Sequence, residues 1–151
     1  MKKSLNIILI QSILFWEDVD ENLSHFETIF SSIKDADIIL LPEMFNTAFC
    51  PKSNYLAEGM DGKTICWMKE VSKNKNCAIA GTLMIMEGKH IFNRLVWISK
   101  NGTIYTYDKH HLFSLIKEER YITKGKDRLI VEVEGWIICP LICYDLRFPV
   151  F

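Results

Sequence analysis

The sequence predicts an α/β fold in which short buried strands alternate with amphipathic helices. Two apolar runs, residues 5–10 and 35–43, flank a segment whose apolar residues recur every three or four positions. Short apolar runs are typical of buried strands, and the three-and-four spacing is typical of a helix that packs on one face. A strand–helix–strand order predicts a right-handed crossover between two parallel strands. The composition, 49% hydrophobic and 25% charged, is that of a globular chain.

The first predicted helix begins after Asp18 or Asp20, either of which can cap it. Five residues at the helical spacing form its apolar face: Leu23, Phe26, Ile29, Phe30 and Ile33. The strand that follows stops at Pro42, because a proline disfavours helical backbone at the residue before it. Parallel strands end at one edge of a sheet, where α/β proteins usually place their chemistry, and Glu43 is predicted to lie at such an edge.

The rest of the chain predicts one more helix and a series of strands. A loop rich in Asn, Pro and Gly leads to a helix over about residues 64–73. Asn-Gly between alternating runs is a strong hairpin signal, because a type I′ turn needs positive φ twice. The last apolar run, residues 128–143, predicts two strands that bring Cys143 to a sheet edge. Tight turns are predicted at Glu87-Gly88, Asn101-Gly102 and Glu134-Gly135.

Charge and hydropathy exclude several classes of partner. A formal net charge of −1 gives no reason to expect nucleic acid or an anionic membrane surface. No apolar run approaches the roughly 18 residues of a membrane span. The N-terminal run breaks at Gln11 without a cleavage site, which favours a strand over a signal peptide. The predicted partners therefore include neither nucleic acid nor membrane.

The five cysteines are predicted to be free thiols of a cytoplasmic protein. Their odd number and irregular spacing do not fit a disulfide framework. Cys139 and Cys143 have no second pair of ligands nearby, so no zinc site is predicted. We expect Cys139 to pack in the core.

Three residues that follow predicted strands could carry chemistry together. They are Glu43 in LLPEMF, Lys109 in YDKHHLF and Cys143 in LICYDLRFP. A neutral thiol is a poor nucleophile and needs a base or a positive neighbour, and a tetrahedral intermediate needs donors aimed at its oxygen. Taken singly, each residue also has an ordinary interpretation, as a core thiol, a loop carboxylate and a surface lysine.

In this order, the three segments resemble the Glu-Lys-Cys signature of the nitrilase (carbon-nitrogen hydrolase) superfamily. The flanks LPEMFNTAF, YDKHHLF and PLICYDLRFP are most similar to its omega-amidase branch. The resemblance spans residues 5–151 and implies a nitrilase-like α-β-β-α sandwich, N-terminal portion only. Chains of the family continue well past the nucleophile. Residues 1–151 are thus expected to be the N-terminal part of a single carbon-nitrogen hydrolase domain in a C-terminally truncated chain.

The resemblance implies catalytic roles for four residues. Cys143 matches the nucleophile, Glu43 the general base and Lys109 the cationic member. A second glutamate follows the lysine in the family and orients it or the substrate. Glu118 matches that position best, and Glu119 stays open as an alternative. The implied reaction is acyl transfer through a cysteine thioester, which requires no metal or organic cofactor.

The implied substrate is a small carboxylate-bearing amide such as 2-oxoglutaramate, hydrolysed to acid and ammonia. The backbone N–H of Tyr144 is expected to hold the oxyanion together with the lysine. Arg147 could grip the substrate carboxylate with paired hydrogen bonds, or form a structural salt bridge with Asp145 or Glu43. Phe113 and Tyr144 are candidate walls of a small acyl pocket. Phe45 is a further candidate wall or a core residue.

Other interpretations of the same sequence stay open. The chain could hydrolyse N-carbamoyl amino acids or aliphatic amides, or serve as a non-catalytic interaction module. Asn93 is predicted to be a buried amide that ties strands together. His110 and His111 point in different directions from one backbone, so we predict packing or loop hydrogen bonds and not metal binding. The family resemblance implies a homo-oligomer for the full-length protein.

Overall fold

The computed structural model describes residues 2–150 as a five-stranded mixed sheet with two helices on one face and a short hairpin against the other. The sheet strands are β1 (Ile7–Leu9), β2 (Ile38–Leu40), β3 (Ala78–Glu87), β4 (His90–Ile98) and β5 (Ile104–Asp108). The helices are α1 (Val19–Ser31) and α2 (Lys63–Lys75). The hairpin consists of β6 (Val131–Val133) and β7 (Trp136–Ile138).

The strand order of the sheet follows the chain, β1-β2-β3-β4-β5. The pairs β1–β2 and β2–β3 are parallel, as the strand–helix–strand pattern predicts. The pairs β3–β4 and β4–β5 are antiparallel, which confirms the two predicted hairpins. Because two reversals restore the original direction, β5 runs parallel to β2. The C-terminal ends of β2 and β5 therefore lie at the same edge of the sheet.

Helix α1 begins where the sequence predicts. The Asp18 carboxylate accepts a 3.0 Å hydrogen bond from the backbone N–H of Glu21, which satisfies one of the open donors at the helix start. The helix then buries its apolar face against the sheet. The core on this side of the sheet includes Leu23, Phe26, Phe30, Ile39, Ile65, Met68, Ile79 and Val96.

The opposite face of the sheet packs against the hairpin. Alternate residues of each strand point to opposite faces, so β3 supplies Ile79 to the helices and Ala80 to the hairpin side. The core on the hairpin side includes Ile38, Ala78, Ala80, Leu95, Trp97, Tyr107, Val131 and Ile142. No helix within residues 2–150 is both long enough and apolar enough to cross a membrane.

The last apolar run differs from the prediction. Residues 128–143 do form two strands joined at Glu134-Gly135, but within residues 2–150 these strands pair only with each other. Residues 139–142 lie outside any strand, and Cys139 is exposed, so its predicted place in the core is wrong. Pro140 has no N–H to donate to a strand partner, which explains why the strand stops early. Cys143 is therefore carried by a turn and not by a strand end.

Candidate active site

Glu43 lies on a turn that continues from β2 alongside β3. The turn is fixed by backbone donors: the N–H of Met44 bonds the Thr82 hydroxyl at 2.8 Å, and the N–H of Phe45 bonds the Thr82 carbonyl at 3.1 Å. Gly81 permits this close approach, because a Cβ there would lie 2.7 Å from the Phe45 ring. Met44 itself has a φ of 48°, an uncommon value for a residue with a side chain. The Glu43 side chain is 20% exposed.

Lys109 follows β5 directly and has no exposed side-chain surface. Its Nζ donates to Glu43 Oε1 at 2.8 Å and to the two Glu118 oxygens at 3.0 and 3.2 Å. Burial alone would lower the pKa of Lys109. The charges and hydrogen bonds of Glu43, and then of Glu118, outweigh burial and raise the pKa above its usual value. The ammonium therefore stays charged at neutral pH.

Glu118 begins a short 3₁₀ helix and is fully buried. Besides Lys109, its carboxylate accepts a 2.7 Å hydrogen bond from the backbone N–H of Phe113. Glu119, the alternative that the sequence left open, is exposed. The geometry thus brings Glu118, and not Glu119, against the lysine.

Cys143 begins the 3₁₀ helix Cys143–Arg147 with a φ of 46°, in the left-handed region. It is exposed, and it lines a cavity of about 320 Å³ together with Glu43. Partial burial of the thiol raises its pKa. The negative charge of nearby Glu43 raises the pKa of Cys143 further, whereas the positive charge of Lys109 opposes this rise. The sulfur is therefore a protonated thiol at neutral pH.

Asp145 anchors the turn that carries Cys143, a role that the sequence did not suggest. The carboxylate is fully buried and accepts hydrogen bonds from the Tyr107 hydroxyl at 2.7 Å and from the Ile142 N–H at 3.1 Å. The backbone N–H of His111 donates to it at 2.8 Å, and His111 Nδ1 lies 3.0 Å from the same oxygen. Burial, followed by the hydrogen bond to Asp145, raises the pKa of Tyr107 and keeps its hydroxyl a donor.

The Asp145 contacts join the cysteine turn to the lysine segment. Tyr107 stands two residues before Lys109, and His111 stands two residues after it. One carboxylate therefore fixes both flanks of the lysine. His111 also stacks on the Phe148 ring, with ring centroids 3.7 Å apart and planes 6° apart. Within residues 2–150, no group of three or more His, Cys, Asp or Glu side chains is placed to hold a metal ion.

Asn93 lies in β4 and is wholly buried, as predicted. Its side chain does more than tie strands, because Nδ2 donates to Glu43 Oε1 at 2.8 Å. The two residues are 50 positions apart in the chain, and no local pattern connects them.

Phe113, Tyr144 and Arg147 surround the mouth of the site. With Cys143 and Leu146 they line an open cavity of about 570 Å³. The rings of Phe113 and Tyr144 meet edge to face with centroids 5.1 Å apart. Arg147 is exposed, and among residues 2–150 no carboxylate lies within salt-bridge distance of it. Phe45, in contrast, is wholly buried in the core on the helix side and does not wall this cavity.

Comparison with known proteins places the chain in a family. The sequence model of the carbon-nitrogen hydrolase family matches residues 6–151. The chain belongs to the carbon-nitrogen hydrolase family. It is 39% identical over 150 residues to omega-amidase YafV of Yersinia enterocolitica, covering 98% of this chain and 57% of that protein. It is 32% identical over 119 residues to 2-oxoglutaramate amidase of Bacillus subtilis, covering 77% of this chain and 46% of that protein.

Solved structures of carbon-nitrogen hydrolases share the fold. A superfamily member from Xanthomonas campestris, with an arsenic adduct in its active site, superposes with a TM-score of 0.94 at 36% identity, over 97% of this chain and 56% of that one. A mutant amidase from Nesterenkonia sp. AN1 superposes with a TM-score of 0.84 at 19% identity, over 97% of this chain and 60% of that one. The nitrilase-like α/β fold that the resemblance implies is thereby confirmed. The chain spans 46% to 60% of the length of these relatives.

The raised pKa of Cys143 leads to a prediction about the Glu43→Gln variant of the full-length protein. This change removes the negative charge that disfavours the thiolate, so the pKa of Cys143 should fall. The measurement is the rate of iodoacetamide labelling at Cys143 against pH, followed by peptide mass spectrometry with exposed Cys66 in the same sample as the reference thiol. Glu119→Gln, a neighbouring exposed glutamate, should leave the midpoint unchanged. An unchanged midpoint in Glu43→Gln would contradict the placement of Glu43 beside the thiol.

Proposed function

We propose that the full-length protein hydrolyses the terminal amide of a small carboxylate-bearing substrate, of the 2-oxoglutaramate type, to an acid and ammonia. The observation that carries this proposal is the contact of one buried ammonium, Lys109, with Glu43 and Glu118, where Glu43 lines the same cavity as the thiol of Cys143. The substrate class is supported by the relatives named omega-amidase YafV and 2-oxoglutaramate amidase.

In the proposed reaction Glu43 is the general base and Cys143 the nucleophile. Glu43 takes the thiol proton while Sγ forms a bond to the amide carbon. Lys109 and the backbone N–H of Tyr144 stabilise the oxyanion of the tetrahedral intermediate. As that intermediate collapses, the C–N bond breaks and Glu43 returns the proton to the leaving nitrogen, which departs as ammonia. A thioester remains on Cys143.

Water then hydrolyses the thioester. Glu43 takes a proton from the water, whose oxygen attacks the thioester carbon, and the same oxyanion donors act a second time. The C–S bond breaks, the acid leaves and the proton returns to the sulfur. The raised pKa of Cys143 fits this cycle, because the thiol must lose its proton to a base and regain it at the end.

Glu118 is proposed to position Lys109 and not to take part in proton transfer. Both of its oxygens bond Lys109 Nζ, and one of them also accepts the Phe113 N–H. The carboxylate is fully buried behind the lysine. Its negative charge offsets the cost of burying the ammonium.

Arg147 is proposed to bind the substrate carboxylate, with Phe113 and Tyr144 as walls of the pocket. The guanidinium is exposed at the mouth of the cavity that contains Cys143, and within residues 2–150 it has no carboxylate partner. A planar guanidinium suits a carboxylate because the two groups form paired hydrogen bonds.

Three further properties of the whole protein are proposals as well. We propose that residues 1–151 form the N-terminal part of a single carbon-nitrogen hydrolase domain, which the continuous match over residues 6–151 supports. We also propose that the full-length protein is cytoplasmic and forms a homo-oligomer.

The first test of the proposal is ammonia release from 2-oxoglutaramate by the full-length protein. The wild type should release ammonia, and Cys143→Ala should reduce release to background because no thioester can form. Cys66→Ala, which removes an exposed thiol on α2, should keep full activity. A folded wild type that releases no ammonia would overturn the substrate assignment, and N-carbamoyl amino acids and aliphatic amides would be assayed next.

The proposed role of Arg147 predicts a selective loss in Arg147→Ala. For 2-oxoglutaramate, KM should rise by about tenfold to a hundredfold, the equivalent of one hydrogen-bonded charge contact. For a neutral aliphatic amide of similar length, KM should not change, since that substrate has no carboxylate to bind. Steady-state kinetics with both substrates would check this. An equal rise in KM for both would assign Arg147 a structural role instead.

A further inference from the structure

We infer that Asn93 positions Glu43 for proton transfer, by holding one carboxylate oxygen and leaving the other to face the thiol of Cys143. The inference rests on the proposed function, in which Glu43 is the base. Asn93 is 0% exposed, so it acts through Glu43 and is a positioning residue, not a catalytic one.

The first argument is the sharing of a single oxygen. Asn93 Nδ2 and Lys109 Nζ both donate to Glu43 Oε1, each at 2.8 Å. Among residues 2–150, no nitrogen donates a hydrogen bond to Oε2. A carboxylate held by one donor can rotate about its last bond, whereas two donors on the same oxygen fix its plane. Oε2 is therefore left as the oxygen that can accept a proton.

The second argument is the direction of the Asn93 amide. A flipped amide would place Oδ1 against Glu43 Oε1, and two acceptors repel each other, so the carboxylate dictates which way the amide points. In that orientation Asn93 Oδ1 is buried and has no hydrogen-bond partner within residues 2–150. An unpaired buried oxygen destabilises the fold. A leucine of similar shape would avoid this cost, so stability alone does not explain an amide at this position.

The third argument is that Asn93 also holds the lysine segment. Its carbonyl oxygen accepts a 2.9 Å hydrogen bond from the backbone N–H of Lys109. The side chain of Asn93 thus fixes the base while its main chain fixes the residue that carries the ammonium. Because the Asn93 amide is uncharged, it holds Glu43 without placing a second cation beside the thiol of Cys143.

The test uses Asn93→Leu in the full-length protein, with Asn93→Ala as a second variant in case leucine does not fit. We expect kcat to fall by about tenfold to a hundredfold, the equivalent of one hydrogen bond to a charged group. KM should stay within about twofold, because Asn93 does not touch substrate. The thermal midpoint of Asn93→Leu should stay close to that of the wild type, because the lost hydrogen bond to Glu43 is offset by removal of the unpaired buried oxygen. Unchanged kcat in both variants would overturn the inference.

A double-mutant cycle shows whether Asn93 acts through Glu43. Without Asn93, the Glu43 carboxylate can move away from the thiol and its charge then disfavours the thiolate less. The pH midpoint of Cys143 alkylation should therefore move down. In a Glu43→Gln background, replacing Asn93 should not shift the midpoint further, because the Glu43 charge that Asn93 positions is already absent. Equal shifts in both backgrounds would contradict positioning.

The matched control is Ser72→Ala. Ser72 is a buried hydroxyl that bonds the Cys77 and Ser99 carbonyls at the far edge of the sheet, and its loss should shift neither kcat nor the midpoint.

The alkylation cycle does not depend on the substrate. A shift that requires Glu43, in a protein that hydrolyses no amide tested, would support the positioning by Asn93 and reject the proposed function. Ammonia release together with equal shifts in both backgrounds would support the proposed function and reject the positioning.

Discussion

A buried ammonium between two carboxylates is the interaction on which the geometry of the site depends. Removing a lysine from water is costly, and Lys109 has no exposed side-chain surface. Glu43 and Glu118 offset that cost at 2.8 and 3.0 Å, and they belong to segments far apart in the chain. The ion cluster therefore fixes the turn after β2, the end of β5 and the loop before Glu118 with respect to one another. The spacing of Glu43 and Lys109, the proposed base and the proposed oxyanion donor, follows from this cluster.

A second set of contacts holds the turn that carries Cys143, the proposed nucleophile. Asp145 binds Tyr107 and His111 on either side of the lysine and the Ile142 N–H just before the cysteine. The ion cluster at Lys109 and the hydrogen bonds of Asp145 both lie close to the thiol. There, burial and the charge of Glu43 raise the pKa of Cys143, and Lys109 opposes the rise. In the proposed reaction, chemistry at this sulfur depends on proton transfer to Glu43, because the raised pKa of Cys143 disfavours a preformed thiolate.

Sequence patterns predicted the parts of the fold that local physics controls. The helical spacing and the Asp18 cap located α1, and Asn101-Gly102 located a hairpin, because such signals act within a few residues. The last apolar run predicts a strand that reaches Cys143, and this prediction is wrong, since hydropathy does not reveal that β7 ends at Ile138. Position along the chain could not separate Glu118 from Glu119 either. Only three-dimensional packing decides which of two adjacent carboxylates is buried.

The contacts that support the site were the hardest to foresee. The Asn93–Glu43 bond spans 50 positions and the Tyr107–Asp145 bond spans 38, so no periodicity or motif links the partners. From the sequence alone, Asp145 is predicted only as a partner for Arg147, and Asn93 only as an amide that ties strands together. The family resemblance supplied the residues at the centre, whereas the residues that hold them in place emerged from the fold.

The most direct test of the shared ion cluster is the free energy of unfolding of four full-length proteins: wild type, Lys109→Met, Glu118→Gln and the double variant. Lys109→Met leaves two carboxylates together without their cation, and it should cost about 3–5 kcal/mol, the usual cost of breaking a buried ion pair. Adding Glu118→Gln removes one of those charges, so the double variant should be more stable than the sum of the single losses predicts. Losses that simply add would show that the charges do not stabilise each other, and would contradict this account of the site.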